Sequence, residues 1–362
     1  MVSLSSLVDG SPRRSLAQLC AQSALLCAVL AWVKYEVNLV SYRLWKRRNR
    51  GRYPDWCRAL VESFGQNDLL LAFEAARTDG GSFDQSRAQY IQPKELLLDH
   101  ICFAGGGFRT ISYMGQLLYL EKRGFTRPGQ TKFWGASFGA MFATGVIFSE
   151  CNRHVSDLLI EGIMCYLERV HDDWWGMWGV CGEYMRDLLV EALPDDISAV
   201  NGRVHISITV LVPYPHNVLV SEFLSKQDFV DALIASQFIP GWTDGLVPFA
   251  MWRGRPCIDG GLFDNIPSPP PPPGDPSGWG RTRSGGFTSL VESFRRPTLE
   301  HGRFICRDAV APITQVLTPP PAAAAEHSVI REIKRGYLDA MRAVQDAKGK
   351  VLQPTSTTGL VN

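Results

Sequence analysis

Two kinds of hydrophobic spacing alternate along this chain. Leu96 to Ala104, residues 203–212, Arg255 to Ile258 and residues 303–306 are short apolar or alternating runs that read as strands. Between and around them, Gly115 to Arg123, Phe138 to Phe148, His154 to Val170, Phe223 to Phe238 and Glu326 to Lys348 carry apolar residues every three or four positions. These read as helices. Pro240 stops the fourth, and in the last, Val329, Ile333, Tyr337, Met341 and Val344 share one face. Strands alternating with helices predict an α/β chain: a three-layer α/β/α core around a mostly parallel sheet. Sites in such sheets lie at the carboxyl ends of strands.

The amino-terminal pattern is different. Residues 1–15 are polar, and the run Leu16 to Val33 falls short of the about 20 residues a spanning helix uses. Gln18, Gln22 and Ser23 interrupt it, while Leu26, Leu30, Val33, Val37 and Val40 fall along one helical face. A membrane span and an interface-lying helix are both open. The lack of a small-residue cleavage site after the run argues against a removed signal peptide. Arg43, Lys46, Arg47, Arg48, Arg50 and Arg52 follow without an acid among them. They read either as a solvated helix end or as a polybasic strip at an anionic cytoplasmic surface. If the segment spans, these charges keep the rest of the chain in the cytosol. Residues 1–60 are thus expected to form a membrane-associating segment.

Elsewhere the pattern weakens. Residues 54–97 offer a helix candidate at Leu69 to Ala76 and a Gly-Gly-Ser turn at 80–82, without chemistry. A proline run at 267, 269–273 and 276 leads a Pro/Gly-rich insertion at about 268–300 that cannot bury a core. It reads as a spacer, with a proline-recognising partner as the alternative. Pro319 to Ala325 is a second break, and 351–362 reads as a disordered tail.

Composition narrows the class. With 362 residues, 45% hydrophobic and 20% charged, the chain can bury one large core with appendages. A net charge of +1 makes no case for a nucleic-acid partner. The 9 cysteines lack metal-type C-x-x-C spacing. They are expected as reduced thiols filling core space, which points to a cytosolic catalytic domain over residues 95–350.

Candidate chemistry concentrates in three places. Ile101 to Ala104 runs into Gly105-Gly106-Gly107-Phe108-Arg109, where a glycine turn between strand and helix aims backbone N–H groups at one point. Apolar Phe133-Trp134 then precedes Gly135-Ala136-Ser137-Phe138-Gly139, a G-x-S-x-G block in strand-turn-helix context. Small residues at 135 and 139 let a serine stand on a sharp turn. Third, Ile258-Asp259-Gly260-Gly261 follows the Arg255 strand. Together they read as a serine acyl hydrolase, with the glycine turn holding the oxyanion.

Three elements in this order resemble the patatin-like phospholipase family. Leu193-Pro194-Asp195, Asn201-Gly202-Arg203 and Ile206 to Thr209 resemble its strand region between nucleophile and aspartate. Asp231-Ala232-Leu233 with Ala235 to Gly241 resembles the helix and turn of its triacylglycerol-lipase branch. The likeness covers about 98–267, and more weakly the helix after 325. It implies Ser137 as nucleophile and Asp259 as its base, without cofactor or metal. It also implies Gly105, Gly106, Gly107 and Arg109 in the oxyanion motif, and Gly135 and Gly139 flanking the elbow. The expected activity is cleavage of fatty-acyl esters, most of all triacylglycerol, at a membrane or lipid-droplet surface with the catalytic domain in the cytosol. Phospholipase A or lysophospholipase activity, acyl transfer, and a non-catalytic lipid-binding scaffold are the alternatives.

Three residue-level questions stay open. An aspartate base needs burial, and Ile258 and Leu262 are the neighbours expected to supply it. Arg109 either orients the glycine loop or meets a charged head group. His301 is the candidate for a rival Ser-Asp-His arrangement. The aromatic stretch Asp172 to Gly179 reads as a buried helix connection, with a movable lid at a lipid interface as the alternative.

Overall fold

The computed structural model describes residues 16–48, 97–173, 175–270, 295–300, 303–308 and 325–351. The helix candidate at 69–76, the Gly-Gly-Ser turn, most of the proline run, His301, the break up to residue 324 and the tail lie outside the described residues.

One sheet organises the molecule. Its strands are β1 (His100–Phe103), β2 (Lys132–Ala136), β3 (Val204–Val210), β4 (His216–Val220), β5 (Ala250–Trp252), β6 (Arg255–Asp259), β7 (Thr298–Glu300) and β8 (Arg303–Cys306). They follow the order β5-β6-β3-β2-β1-β8-β7, with β4 also on β3. The ladders β2–β3, β1–β2 and β1–β8 are parallel, and the remaining pairs are antiparallel. Short connections account for the antiparallel hairpin pairs. β5 and β6 are joined by Arg253-Gly254, both at positive φ (47° and 70°), a two-residue hairpin too short for a crossover. β7 begins inside the stretch read as insertion and pairs with β8.

The helices are α1 (Leu16–Arg48), α2 (Ser112–Lys122), α3 (Phe138–Cys151), α4 (Arg153–Asp172), α5 (Cys181–Ala192), α6 (Lys226–Ser236) and α7 (Ala325–Val351). Strand alternation sorts side chains onto two faces. Ile101, Phe103, Phe133, Ile206, Ile208 and Phe304 join the helices in the large core. Cys102, Trp134 and Ile305 form a small second cluster with half-buried Leu219 and Ile266, which no described helix joins. Cys102 and Cys257 are buried free thiols, as the composition implied.

Two attachments lie outside the central strands. α7 crosses α2 closely enough that a Cβ on Gly115 would sit 1.8 Å from the Ile333 carbonyl, and one on Gly336 1.8 Å from that of Ser112. α1 is held by its second half. The Asn38 amide donates to the carbonyls of Trp175 (2.6 Å) and Trp178 (2.9 Å), and the Tyr42 hydroxyl donates to Asp187 (2.8 Å). Arg43 and Lys46 pair with Glu183 and Asp187 on α5 at 3.3 and 2.5 Å. Half of the described basic strip therefore faces protein, while Arg47 and Arg48 are exposed and Arg50 and Arg52 lie outside the described residues.

Candidate active site

Registers bring the two key strand ends together. β4 pairs with Ile206 to Val210, so it occupies one whole edge of that part of β3. β2 and β6 must share the other. β2 ends with Ala136 opposite Ser207, and β6, running the opposite way, ends with Asp259 opposite Ile208. The chain ends meet head to head. Ser137 and Asp259, far apart in sequence, are therefore delivered to one point by backbone pairing.

At that point the Ser137 hydroxyl donates to Asp259 Oδ2 at 2.7 Å. The other carboxylate oxygen accepts the Gly261 N–H at 2.7 Å. Both oxygens are thus oriented. The backbone of Asp259 is fixed as well: its N–H donates to Phe238 O at 2.8 Å and its carbonyl accepts from Thr209 at 2.9 Å. Desolvation by burial raises the carboxyl pKa to about 6, against smaller opposing effects of the bonds from Ser137 and Gly261. Leu262, expected to help bury it, is exposed instead.

Ser137 stands at φ 55° and ψ −135°, a region that L-residues adopt only under constraint. Its N–H donates to Ser236 Oγ at 2.9 Å, and that hydroxyl donates to Ser207 O at 2.8 Å. Close packing explains the flanking glycines. A Cβ on Gly135 would meet the backbone of Gly139 and Ala140 at 2.5 Å, and one on Gly139 the Phe103 carbonyl at 2.6 Å. α3 starts at Phe138, so its electropositive N-terminus faces the serine.

The glycine loop lies alongside. Gly105 donates its N–H to Asn265 O at 3.0 Å and accepts at its own carbonyl from Asn265 Nδ2 at 3.1 Å. Its N–H is therefore committed. Among the described residues no acceptor takes the N–H of Gly106 or Gly107, where the chain turns with Gly107 at φ 53°. With the first N–H of α3, these are the donors a developing oxyanion could use. The Arg109 side chain sends a hydrogen bond away from the serine, to the Asp308 carbonyl. It is buried and lies against Gly106, while Arg335 of α7 pairs with the Asp308 carboxylate. Its place is under the loop.

Asn265 and Ser236 were not foreseen as site residues. The sequence signal for Asn265 was its position near Asp259, and for Ser236 its place at the end of α6, within the Ala235 to Gly241 block. A substitution tests the Asn265 clamp: a Cβ at Gly105 would approach Asn265 Oδ1 to 2.4 Å and Ser137 Cβ to 3.1 Å. Gly105→Ala should cut kcat on the order of 100-fold, the usual cost of disturbing one oxyanion donor, with little change in KM. Steady-state kinetics on a soluble ester checks it.

Comparison with known proteins finds relatives for the stretch that carries these residues. Residues 101–270 match the patatin-like phospholipase family model. The Mus musculus 1-acylglycerol-3-phosphate O-acyltransferase Pnpla3 is 36% identical over 170 residues, 46% of this chain and 40% of that one. Patatin-like phospholipase domain-containing protein 2 of Homo sapiens is 32% identical over 174 residues, 46% of this chain and 33% of that one. Patatin-like phospholipase domain-containing protein 5 of Mus musculus is 27% identical over 251 residues, 68% and 56% of the two chains. This chain spans less than two thirds of each relative's length. Through residues 101–270, just under half of its length, this chain is similar to the patatin-like phospholipase family.

Proposed function

We propose that the chain is a lipid acyl hydrolase that works through a Ser137–Asp259 dyad, with triacylglycerol as its preferred substrate. The observation that carries this reading is the 2.7 Å hydrogen bond from the Ser137 hydroxyl to a desolvated carboxylate, beside unclaimed glycine N–H groups. In the first step Asp259 takes the hydroxyl proton as Ser137 Oγ attacks the ester carbonyl. The N–H groups of Gly106, Gly107 and Phe138 hold the negative oxygen. Collapse breaks the ester C–O bond, and the proton passes from Asp259 to the leaving alcohol. Water, deprotonated by the same carboxylate, then releases the fatty acid and restores the serine. A raised pKa suits this task, because an aspartate at its ordinary value is a poor base.

Fatty acid release from triacylglycerol, phosphatidylcholine and lysophospholipid emulsions tests the reading. Triacylglycerol is expected to give the highest kcat/KM. A phospholipid preference would overturn the substrate assignment, and no release from any emulsion by folded protein would overturn the hydrolase reading itself.

Acyl transfer is the second reading, favoured by the mouse relative, a 1-acylglycerol-3-phosphate O-acyltransferase. The same acyl-serine would be consumed by an alcohol acceptor in place of water. Adding monoacylglycerol or a lysophospholipid to the assay would then divert acyl groups into esters at the expense of free fatty acid.

A further inference from the structure

From Tyr35 onward α1 has two unlike faces, while residues 20–30 are exposed on every side. Tyr35, Asn38, Leu39, Tyr42 and Trp45 turn toward the body, where Asn38 and Leu39 are buried and Tyr42 is only 2% exposed. The opposite side carries Leu26, Leu30, Val33, Val37, Val40 and Leu44, each 45 to 59% exposed. Their spacing of three and four residues makes one continuous stripe, about 27 Å long at 1.5 Å per residue. It runs past the docked half of the helix, so the body leaves it uncovered.

Exposed apolar residues also lie near the docked half of α1. Asn38 holds the carbonyl of Trp175, whose side chain is 57% exposed. Tyr35 lies against Gly179 and Gly245, and Leu246 and Val247, next in sequence, are exposed apolar residues. Exposed apolar side chains thus also flank the docked side of α1.

Charge identifies what this face fits. Arg47 and Arg48 stand exposed at the end of the stripe, and no acid follows Glu36 on α1. A helix with an apolar stripe ending in cations, beside an exposed tryptophan, matches a layer with acyl chains beneath anionic headgroups. We infer that the outward face of α1, with Trp175, Leu246 and Val247, docks the protein on an anionic phospholipid surface, and that α1 lies along it. A helix crossing the bilayer would leave Val37, Val40 and Leu44 in water, because the body holds α1 from Tyr35 onward. The inference extends the hydrolase reading to the surface it works at. The loop that contributes Leu246 and Val247 follows Phe238, whose carbonyl fixes Asp259, so anchor and base are one connection apart.

Flotation of the full chain with phosphatidylcholine vesicles containing phosphatidylserine tests this, with thermal melting as the measure of fold. Both work whether or not the protein turns over lipid. The wild type is expected to float. Val37→Asp with Val40→Asp should lower the bound-to-free ratio about 100-fold without changing the melting temperature. Arg47→Glu with Arg48→Glu should weaken flotation on the anionic vesicles alone, and more so at low salt. Equal flotation of the valine double variant would overturn the inference. So would a large drop in its melting temperature, which would mean that the stripe packs on protein. A wild type that stays unbound and sediments as a dimer would make a second copy the occupant and overturn it as well.

Discussion

Ser137→Ala is expected to abolish fatty acid release, with kcat falling on the order of 10⁶-fold, the loss typical when the nucleophile of a serine hydrolase is removed. Folding should be unaffected. The turn at Ser137 is held by its backbone, through the N–H bond to Ser236 and the Ala140 N–H bond to its carbonyl at 2.9 Å, and neither needs the hydroxyl. Alanine occupies the same strained φ and ψ, so melting curves should nearly coincide. The variant should also fail to react with a fluorophosphonate expected to label the wild type. Persistent turnover in the alanine variant would assign the chemistry to another group. Loss of turnover together with a collapsed melting curve would say only that the hydroxyl is structural, and Ser137→Cys, which keeps a nucleophile, then decides through residual labelling.

Asp259→Asn is expected to lower kcat about 10⁴-fold, the upper range for a general base. The amide fits the same space: its oxygen still accepts from Gly261 and its nitrogen points at Ser137 Oγ. What it cannot do is take the proton. In the wild type the rate should fall tenfold per pH unit below about 6, where the carboxyl becomes protonated, and the variant's residual rate should lose that limb. Stability runs the other way. Because burial raises the folded-state pKa above the ordinary value of 3.8, the carboxyl favours the fold fully below pH 3.8, and that contribution is lost as pH rises through about 6. At pH 8 the neutral asparagine escapes this cost and should melt higher than the wild type, the gap closing below pH 4. A pH–rate profile without a limb near 6 would remove Asp259 from the base role.

The three chemical blocks were legible because their residues serve backbone geometry as well as chemistry. Gly135 and Gly139 are needed wherever a serine is lifted off a turn between strand and helix, so the spacing survives as a pattern. The strands β1, β2, β3 and β8 were legible through their largely buried apolar side chains, and β6, in which only Cys257 is buried, through the Ile258-Asp259 block that ends it. What was missed has a physical cause. β4, β5 and β7 are short strands with partly exposed side chains, so burial leaves little alternation in them. α5 does carry a helical signal in Tyr184, Met185, Leu188 and Leu189, all buried, which the neighbouring tryptophans obscured. Asn265 and Ser236 act through a side-chain amide and a hydroxyl on backbone groups 160 and 99 residues away, and no local pattern encodes such a distance. The two faces of α1 show the same limit. Periodicity identified the stripe from Leu26 to Val40 but not which side of the helix the body takes.

The anchoring of Arg109 bears on how the protein can be cut. A fragment ending at residue 270 would contain Ser137, Asp259 and the glycine loop, yet would lack β8, Asp308 and α7. Without β8, β1 becomes an open strand edge, a template for pairing with other chains. Arg109 loses the carbonyl that receives its guanidinium, and α2 loses the helix packed against Gly115. The smallest piece that keeps the glycine loop in place therefore extends to the end of α7, well past the stretch by which the family is recognised.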